Sequence, residues 1–114
     1  MDKRHCAIID AKASNSYALS SDDHAKMISN YIPNYHELCN GLPLELEFCS
    51  YVAGGFMNIG SKLSQIENET KVPASAITAK DLLRLAKIIF SESQPSLRSY
   101  FCNSKLLYAK DFRS

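Results

Sequence analysis

The sequence predicts a small α/β sandwich, and three observations carry that prediction. Cys6-Ala7-Ile8-Ile9 is an apolar run with β-branched residues at its centre, the pattern of a strand buried on both faces. Leu44–Val52 alternates, with Leu44, Leu46, Phe48 and Val52 on one face and Glu45, Glu47, Cys49 and Tyr51 on the other, which describes a strand with one wetter face. Apolar residues then recur at helical spacing, at Ile59, Leu63 and Ile66 and again from Leu82 to Phe90.

Taken in order, the first strand ends in Asp10-Ala11-Lys12, and a polar, turn-rich loop follows up to Ser21. Ser20 with Asp23 three residues on resembles a capping box and opens a helix over about 22–31, with Ala25, Ile28 and Ile32 on its apolar side and His24 on its solvated side. Pro33 stops that helix. A short helical turn over 35–39 ends at Asn40-Gly41. After the alternating strand, Gly54-Gly55 permits a sharp turn, and a helix over about 58–69 buries one stripe. Residues 71–77 make a short third strand, and Thr78 with Asp81 caps the most apolar helix. Its Leu82, Leu85 and Ile89 are expected on the sheet. Residues 91–95 read as a break, and the tail from Leu97 to Phe112 reads as helical, with Arg98, Lys105, Lys110 and Arg113 spread along it.

A chain of 114 residues with 46% hydrophobic content suits one small domain with a core. Its net charge of +1 gives no global field favouring or opposing nucleic acid. Cys6, Cys39, Cys49 and Cys102 form no C-x-x-C pair and have no histidine at zinc-finger spacing, so they read as reduced, buried thiols of a cytoplasmic protein. No apolar run approaches the roughly 18 residues of a membrane span, and the charged start, Met1-Asp2-Lys3-Arg4-His5, has no export-type apolar segment.

Asp10 and Lys12 carry the chemistry. Residues two apart in a strand share one face and stand roughly 6–7 Å apart by Cα rise. A carboxylate beside an ammonium at a strand end can hold a hard divalent cation and position a water or phosphate oxygen next to it. The same tripeptide also reads as a solvated charge pair. No Gly-rich phosphate loop and no Ser/His/Asp arrangement offers a competing chemistry.

Ile9-Asp10-Ala11-Lys12-Ala13, then Tyr17, Leu19, Met27 and Tyr31, resembles the cleavage domain of FokI-type, type IIS restriction endonucleases. The stretch Phe48-Cys49-Ser50-Tyr51-Val52-Ala53-Gly54-Gly55-Phe56, a helix with Leu63 and Ile66, and Ala76-Ile77-Thr78-Ala79-Lys80-Asp81-Leu82-Leu83 follow in the same order, so the resemblance covers about residues 7–85. It implies the PD-(D/E)xK superfamily and an α/β fold with a restriction-endonuclease-like mixed sheet flanked by helices and an incomplete core. Residues 1–90 would be the C-terminal part of the nuclease domain and 91–114 its helical extension. It further implies Asp10 as a metal-binding acid, the Ala11 backbone carbonyl as a second metal ligand, and Lys12 as the residue that orients the attacking water or stabilises phosphate charge. The implied cofactor is Mg²⁺, and the implied substrate is double-stranded DNA.

The sequence also departs from that pattern. The family's first acid lies more than ten residues before the D-x-K strand and has no counterpart here. Asp2 is too near Asp10 along one run to replace it, and Glu45 and Glu47 could donate only if their face turned toward Asp10. The family's bridging Asp and Arg on the next helix fall on Ala25 and Ser29, so that salt-bridged dimer does not carry over. A missing upstream segment or a second nuclease domain is expected to complete the site. Three readings follow: a Mg²⁺-dependent endonuclease, an incomplete fragment or partner subunit serving dimerisation or assembly, and an unrelated α/β interaction module.

Overall fold

The sheet is assembled in chain order. A computed structural model describes residues 5–91 and 97–112, apart from the side chains of Leu38, residues 88–91 and residues 97–98. Strand β1 (His5–Ala11) pairs with β2 (Glu45–Ala53), β2 with β3 (Ala74–Thr78), and β3 with β4 (Leu106–Leu107), every pair parallel. Parallel neighbours require crossover connections, and helices provide them. Between β1 and β2 lie α1 (Ser21–Lys26), which continues as a π turn over Met27–Tyr31, and α2 (Tyr35–Leu38). Helix α3 (Gly60–Thr70) joins β2 to β3. Helices α4 (Ala79–Ser91) and α5 (Leu97–Phe101) come between β3 and β4, and a 3₁₀ turn over Ala109–Asp111 follows.

Local chemistry explains the helix starts. The Ser20 side chain accepts from the Asp23 N–H at 3.2 Å, satisfying one of the orphan donors of α1. At α4 the Thr78 hydroxyl both accepts from the Asp81 N–H at 3.1 Å and donates to the Asp81 carboxylate at 2.9 Å. The π turn arises where the Ile32 N–H reaches back five residues to the Met27 carbonyl.

Two apolar layers enclose the sheet because β2 and β3 alternate their side chains across it. One layer gathers Leu19, Met27, Cys49, Tyr51, Leu63, Ile66, Ala74 and Ala76. The other holds Phe48, Ile77, Leu85, Phe101, Leu107, Ala109 and Phe112, with Phe48 stacked on Phe101 at 5.3 Å between ring centroids. Ser50 and Ser75, both buried, satisfy one another by a hydroxyl bond of 2.9 Å.

Several sequence expectations change. Strand β1 is not buried on both faces: His5, Ala7, Ile9 and Ala11 are exposed, with Ile9 at 55%, while Cys6, Ile8 and Asp10 are half-buried. Among the described residues it lies at the edge of the sheet. The second layer reaches Phe48 and Val52 on β2 and takes in no β1 residue among those described. Conversely, the expected wetter face of β2 is dry from Cys49 onward, since α3 and the π turn cover Cys49 and Tyr51 completely. Burial pushes the Cys49 thiol up to about 12, as an inert core thiol requires. None of the four cysteines forms a disulfide, and of the four thiols expected to be buried only Cys49 is, because Cys6, Cys39 and Cys102 lie where no layer closes over them and stay half-buried.

On α4, Leu85 is buried, but Leu82 is 38% exposed and Leu83 61%. Leu83 precedes Leu85 by two residues, about 200° around the helix, so the two cannot share a face. The Ile89 side chain lies outside the described residues. On α1, Ala25 is exposed rather than inward, and His24 is half-buried rather than solvated, its Nε2 lacking a hydrogen-bond partner among the described residues. The tail is not continuously helical: after α5 the chain extends into β4, held by Ala76 N–H to Lys105 O at 3.2 Å. Residues 92–96, covering most of the expected break, lie outside the described residues, as do Asp2 and Arg113 and the side chain of Arg98.

Candidate active site

Strand β1 delivers both predicted residues to one place. Asp10 sits opposite Tyr51 of β2, and Lys12 follows the strand directly, its N–H bonded to the Val52 carbonyl at 2.7 Å. The two-residue period then sets both side chains on the face toward α1. Lys12 Nζ lies 3.3 Å from Asp10 Oδ1, with both side chains partly exposed.

A second acid reaches the same ammonium. Asp23, in the first turn of α1, places Oδ1 3.3 Å from Lys12 Nζ. The other oxygen of Asp23 accepts from the Tyr17 hydroxyl at 2.5 Å, and Lys12 Nζ lies 5.8 Å from the centroid of the Tyr17 ring. In the sequence Tyr17 belongs to a loop and Asp23 to a cap, and no local pattern brings either to the lysine.

The loop that carries Tyr17 is fixed from below. Gly54 N–H donates to Ser14 O at 2.7 Å, Tyr17 N–H to Gly55 O at 2.9 Å, and Met57 N–H to Tyr17 O at 3.0 Å. A Cβ on Gly55 would stand 2.3 Å from the Asn15 carbonyl oxygen, so glycine is required by the close approach of two backbones. Lys62 Nζ donates to the Ala18 and Leu19 carbonyls at 3.0 and 2.6 Å, bracing the buried Leu19, whose φ of 44° is left-handed.

The electrostatics follow this geometry. Burial pulls the Lys12 ammonium pKa down, but Asp10 and Asp23 more than offset it and leave it raised. Asp23 is held below the usual carboxylate range, first by the Tyr17 hydrogen bond and then, against the opposing effect of burial, by Lys12 and Ser20. Burial raises Tyr17, and Asp23 raises it further. Tyr51 is fully buried, its ring centroid 6.1 Å from that of Tyr17, and its hydroxyl has no hydrogen-bond partner among the described residues. Burial raises its pKa, and the nearby acids add to that.

The oxygen donors at the end of β1 suit a hard divalent cation. Because Lys12 N–H points at β2 and the peptide is trans, the Ala11 carbonyl points the opposite way, toward the open edge of the sheet. Asp10 also borders a hollow of about 230 Å³ lined by Ile8, Ile9 and Tyr31. One carboxylate and one carbonyl make an incomplete shell, and no cluster of three or more His, Cys, Asp or Glu stands among the described residues. Glu45 and Glu47 do not complete it. They precede Tyr51 by six and four residues, roughly 13–20 Å along the strand, and Glu47 pairs with His5 at 3.4 Å.

Known proteins share this fold. No curated protein matches the chain. Among solved structures it is similar to the restriction endonuclease FokI bound to DNA, with a TM-score of 0.71 and 19% identity over 91% of this chain. It is similar also to a second structure of the restriction endonuclease FokI, with a TM-score of 0.66 and 19% identity over 91% of this chain. In both cases the match spans 21% of the FokI chain. No helix among the described residues is long and apolar enough to cross a membrane. The family described as FokI, cleavage domain, matches residues 1–106, and the chain belongs to that family.

Proposed function

We propose that this chain is the catalytic part of a type II restriction endonuclease, a cytoplasmic, Mg²⁺-dependent enzyme that hydrolyses phosphodiester bonds of double-stranded DNA. The observation that carries the reading is the contact of 3.3 Å between Asp10 and Lys12 at the open end of β1, in a chain of the FokI cleavage-domain family. Residues 1–90 would supply the C-terminal part of the nuclease domain, and 91–114 would extend it.

In this reading Asp10 and the Ala11 carbonyl hold the metal. Bound there, Mg²⁺ supplies Lewis acidity to a phosphate oxygen and acidifies its own water. Lys12 stays charged, because its pKa is raised, and donates to a phosphoryl oxygen or orients the incoming water. A further carboxylate comes from an upstream segment or from a second nuclease domain, since one acid and one carbonyl hold Mg²⁺ weakly. DNA recognition belongs to other parts of the enzyme.

The test is direct. In the completed enzyme, Asp10→Ala or Lys12→Ala should abolish Mg²⁺-dependent cleavage of plasmid DNA, a loss of at least about 10²–10³ in rate, while DNA binding and melting temperature barely change. Persistent cleavage by Asp10→Ala would remove the assignment. The isolated 114-residue chain should cut poorly, and efficient cutting would mean that its own residues complete the shell. A second reading, a partner subunit serving dimerisation or assembly, draws on the exposed β1 face and predicts stable complex formation by chains that never cut.

A further inference from the structure

We propose that Asp23 is the positioning residue for Lys12, an arm from α1 that keeps the ammonium beside the reacting phosphate when a cation occupies Asp10. The proposal rests on the reading of Asp10 and Lys12 as metal ligand and catalytic cation.

A lysine ammonium is a compact charge on a stem with four rotatable bonds, so it stays in place only where fixed anions hold it. Here two anions do so from different elements, Asp10 on β1 and Asp23 on α1, each at 3.3 Å. They are not equivalent. Asp10 stands at the open end of the strand, beside the Ala11 carbonyl, and its oxygens are those a divalent cation would take. A cation there would withdraw the Asp10 charge from Lys12 and repel the ammonium. Whatever then keeps Lys12 in position must be an anion with no free oxygen to offer the metal.

Asp23 meets that requirement. Its Oδ2 is engaged by the Tyr17 hydroxyl, which leaves Oδ1 for Lys12. Its N–H is held by Ser20, which sets the residue at the start of α1. Tyr17 is pinned in turn through Gly55 and Met57, and Lys12 passes beside its ring. A continuous chain of contacts thus runs from the glycine turn after β2, through Tyr17 and Asp23, to the lysine. A purely structural Asp23 would need its capping geometry and the Tyr17 bond, but not the contact with Lys12.

The test separates the two acids. With the 114-residue chain carrying ¹⁵N-labelled lysine, the Lys12 ammonium signal is followed by NMR in the wild type, Asp10→Asn, Asp23→Asn and the double variant. In Asp10→Asn, which mimics diversion of the Asp10 charge without metal, Lys12 should remain distinct from the solvent-averaged lysines. In the double variant it should merge with them. A Lys12 already averaged in Asp10→Asn, or still distinct in the double variant, overturns the proposal.

In the completed enzyme, Asp23→Asn should lower kcat about 10–100-fold with KM for DNA unchanged, Asp23→Glu should recover part of it, and Tyr17→Phe should give a smaller loss in the same direction. An unchanged kcat, or a loss that tracks melting temperature and that Glu does not rescue, overturns the proposal. Failure of the nuclease reading shows separately, as cleavage that survives Asp10→Asn, and it leaves the NMR comparison intact.

Discussion

Strands β1 and β2 lie side by side in one sheet, yet their environments are opposite. From Phe48 to Tyr51, β2 is buried on both faces, packed by the α3 side above and by Phe101 below. Strand β1 alternates exposed with half-buried residues and ends in two charged side chains. The difference shows a division of labour. The middle strands supply cohesion, and in the proposed reading the edge strand presents the chemistry where DNA can reach it. A carboxylate and an ammonium set between β2 and β3 would lose hydration worth several kcal/mol per ion, whereas at the end of β1 they keep part of it.

The division predicts where mutations hurt, and the largest effects belong to the covered half. Leu63→Ala or Leu85→Ala should cost about 2–5 kcal/mol in chemical denaturation, because each leaves a cavity beneath a covered sheet face. A loss below about 1 kcal/mol would mean that the layers do not close over β2 and β3. Next comes the seam between the halves. Gly55→Ala forces a Cβ against the Asn15 carbonyl and should cost about 1–3 kcal/mol, with the Tyr17 resonances displaced. A neutral effect would show that the loop bearing Tyr17 is not docked on the glycine turn.

Charge at the site has a smaller and pH-dependent effect. Asp23 is depressed below the ordinary carboxylate value by Tyr17 and Lys12, so the unfolded chain binds its proton more readily than the folded one. Its contribution is therefore fully present above the unfolded value near about 3.9 and is lost as pH falls through the lower folded value. Asp23→Asn should flatten the acid limb of a melting-temperature profile below about pH 4, by no more than about 1 kcal/mol for so open a pair. An acid limb that stays as steep would assign the contact no energetic role.

What the sequence made legible was whatever depends on nearby residues. Asp10 and Lys12 share a face because of a two-residue period, and Thr78 with Asp81 or Ser20 with Asp23 form caps because three residues separate them. What it hid depends on distant partners. Asp23 meets Lys12 only because the intervening loop folds onto Gly54 and Gly55, some forty residues away. Strand β4 has two residues and no periodicity to read, and it exists because it pairs with β3, beside a contact from the Ala74 N–H to the Ser104 hydroxyl. The exposure of β1 was hidden for the same reason. An apolar run reports that a strand can be buried, and the elements packed against it decide whether it is.

That last point yields the smallest expected effect. Ile9 sits in the middle of the apolar run that predicted a buried strand, where an Ile→Thr change would ordinarily bury an unpartnered hydroxyl and cost several kcal/mol. In the structure Ile9 is 55% exposed on the open face of β1, and threonine keeps the β-branched shape that suits a strand. Ile9→Thr should therefore change stability by no more than about 0.5 kcal/mol, measured by urea denaturation of the chain at low concentration. A loss above about 1 kcal/mol would mean that this face is covered in solution. Repeating the measurement across a range of protein concentrations then identifies the cover. A loss that grows with concentration comes from a second copy seated on β1, because association stabilises only the assembled state. A loss independent of concentration would place the cover within the chain itself, and the contrast between an open edge strand and a closed central one would have to be withdrawn.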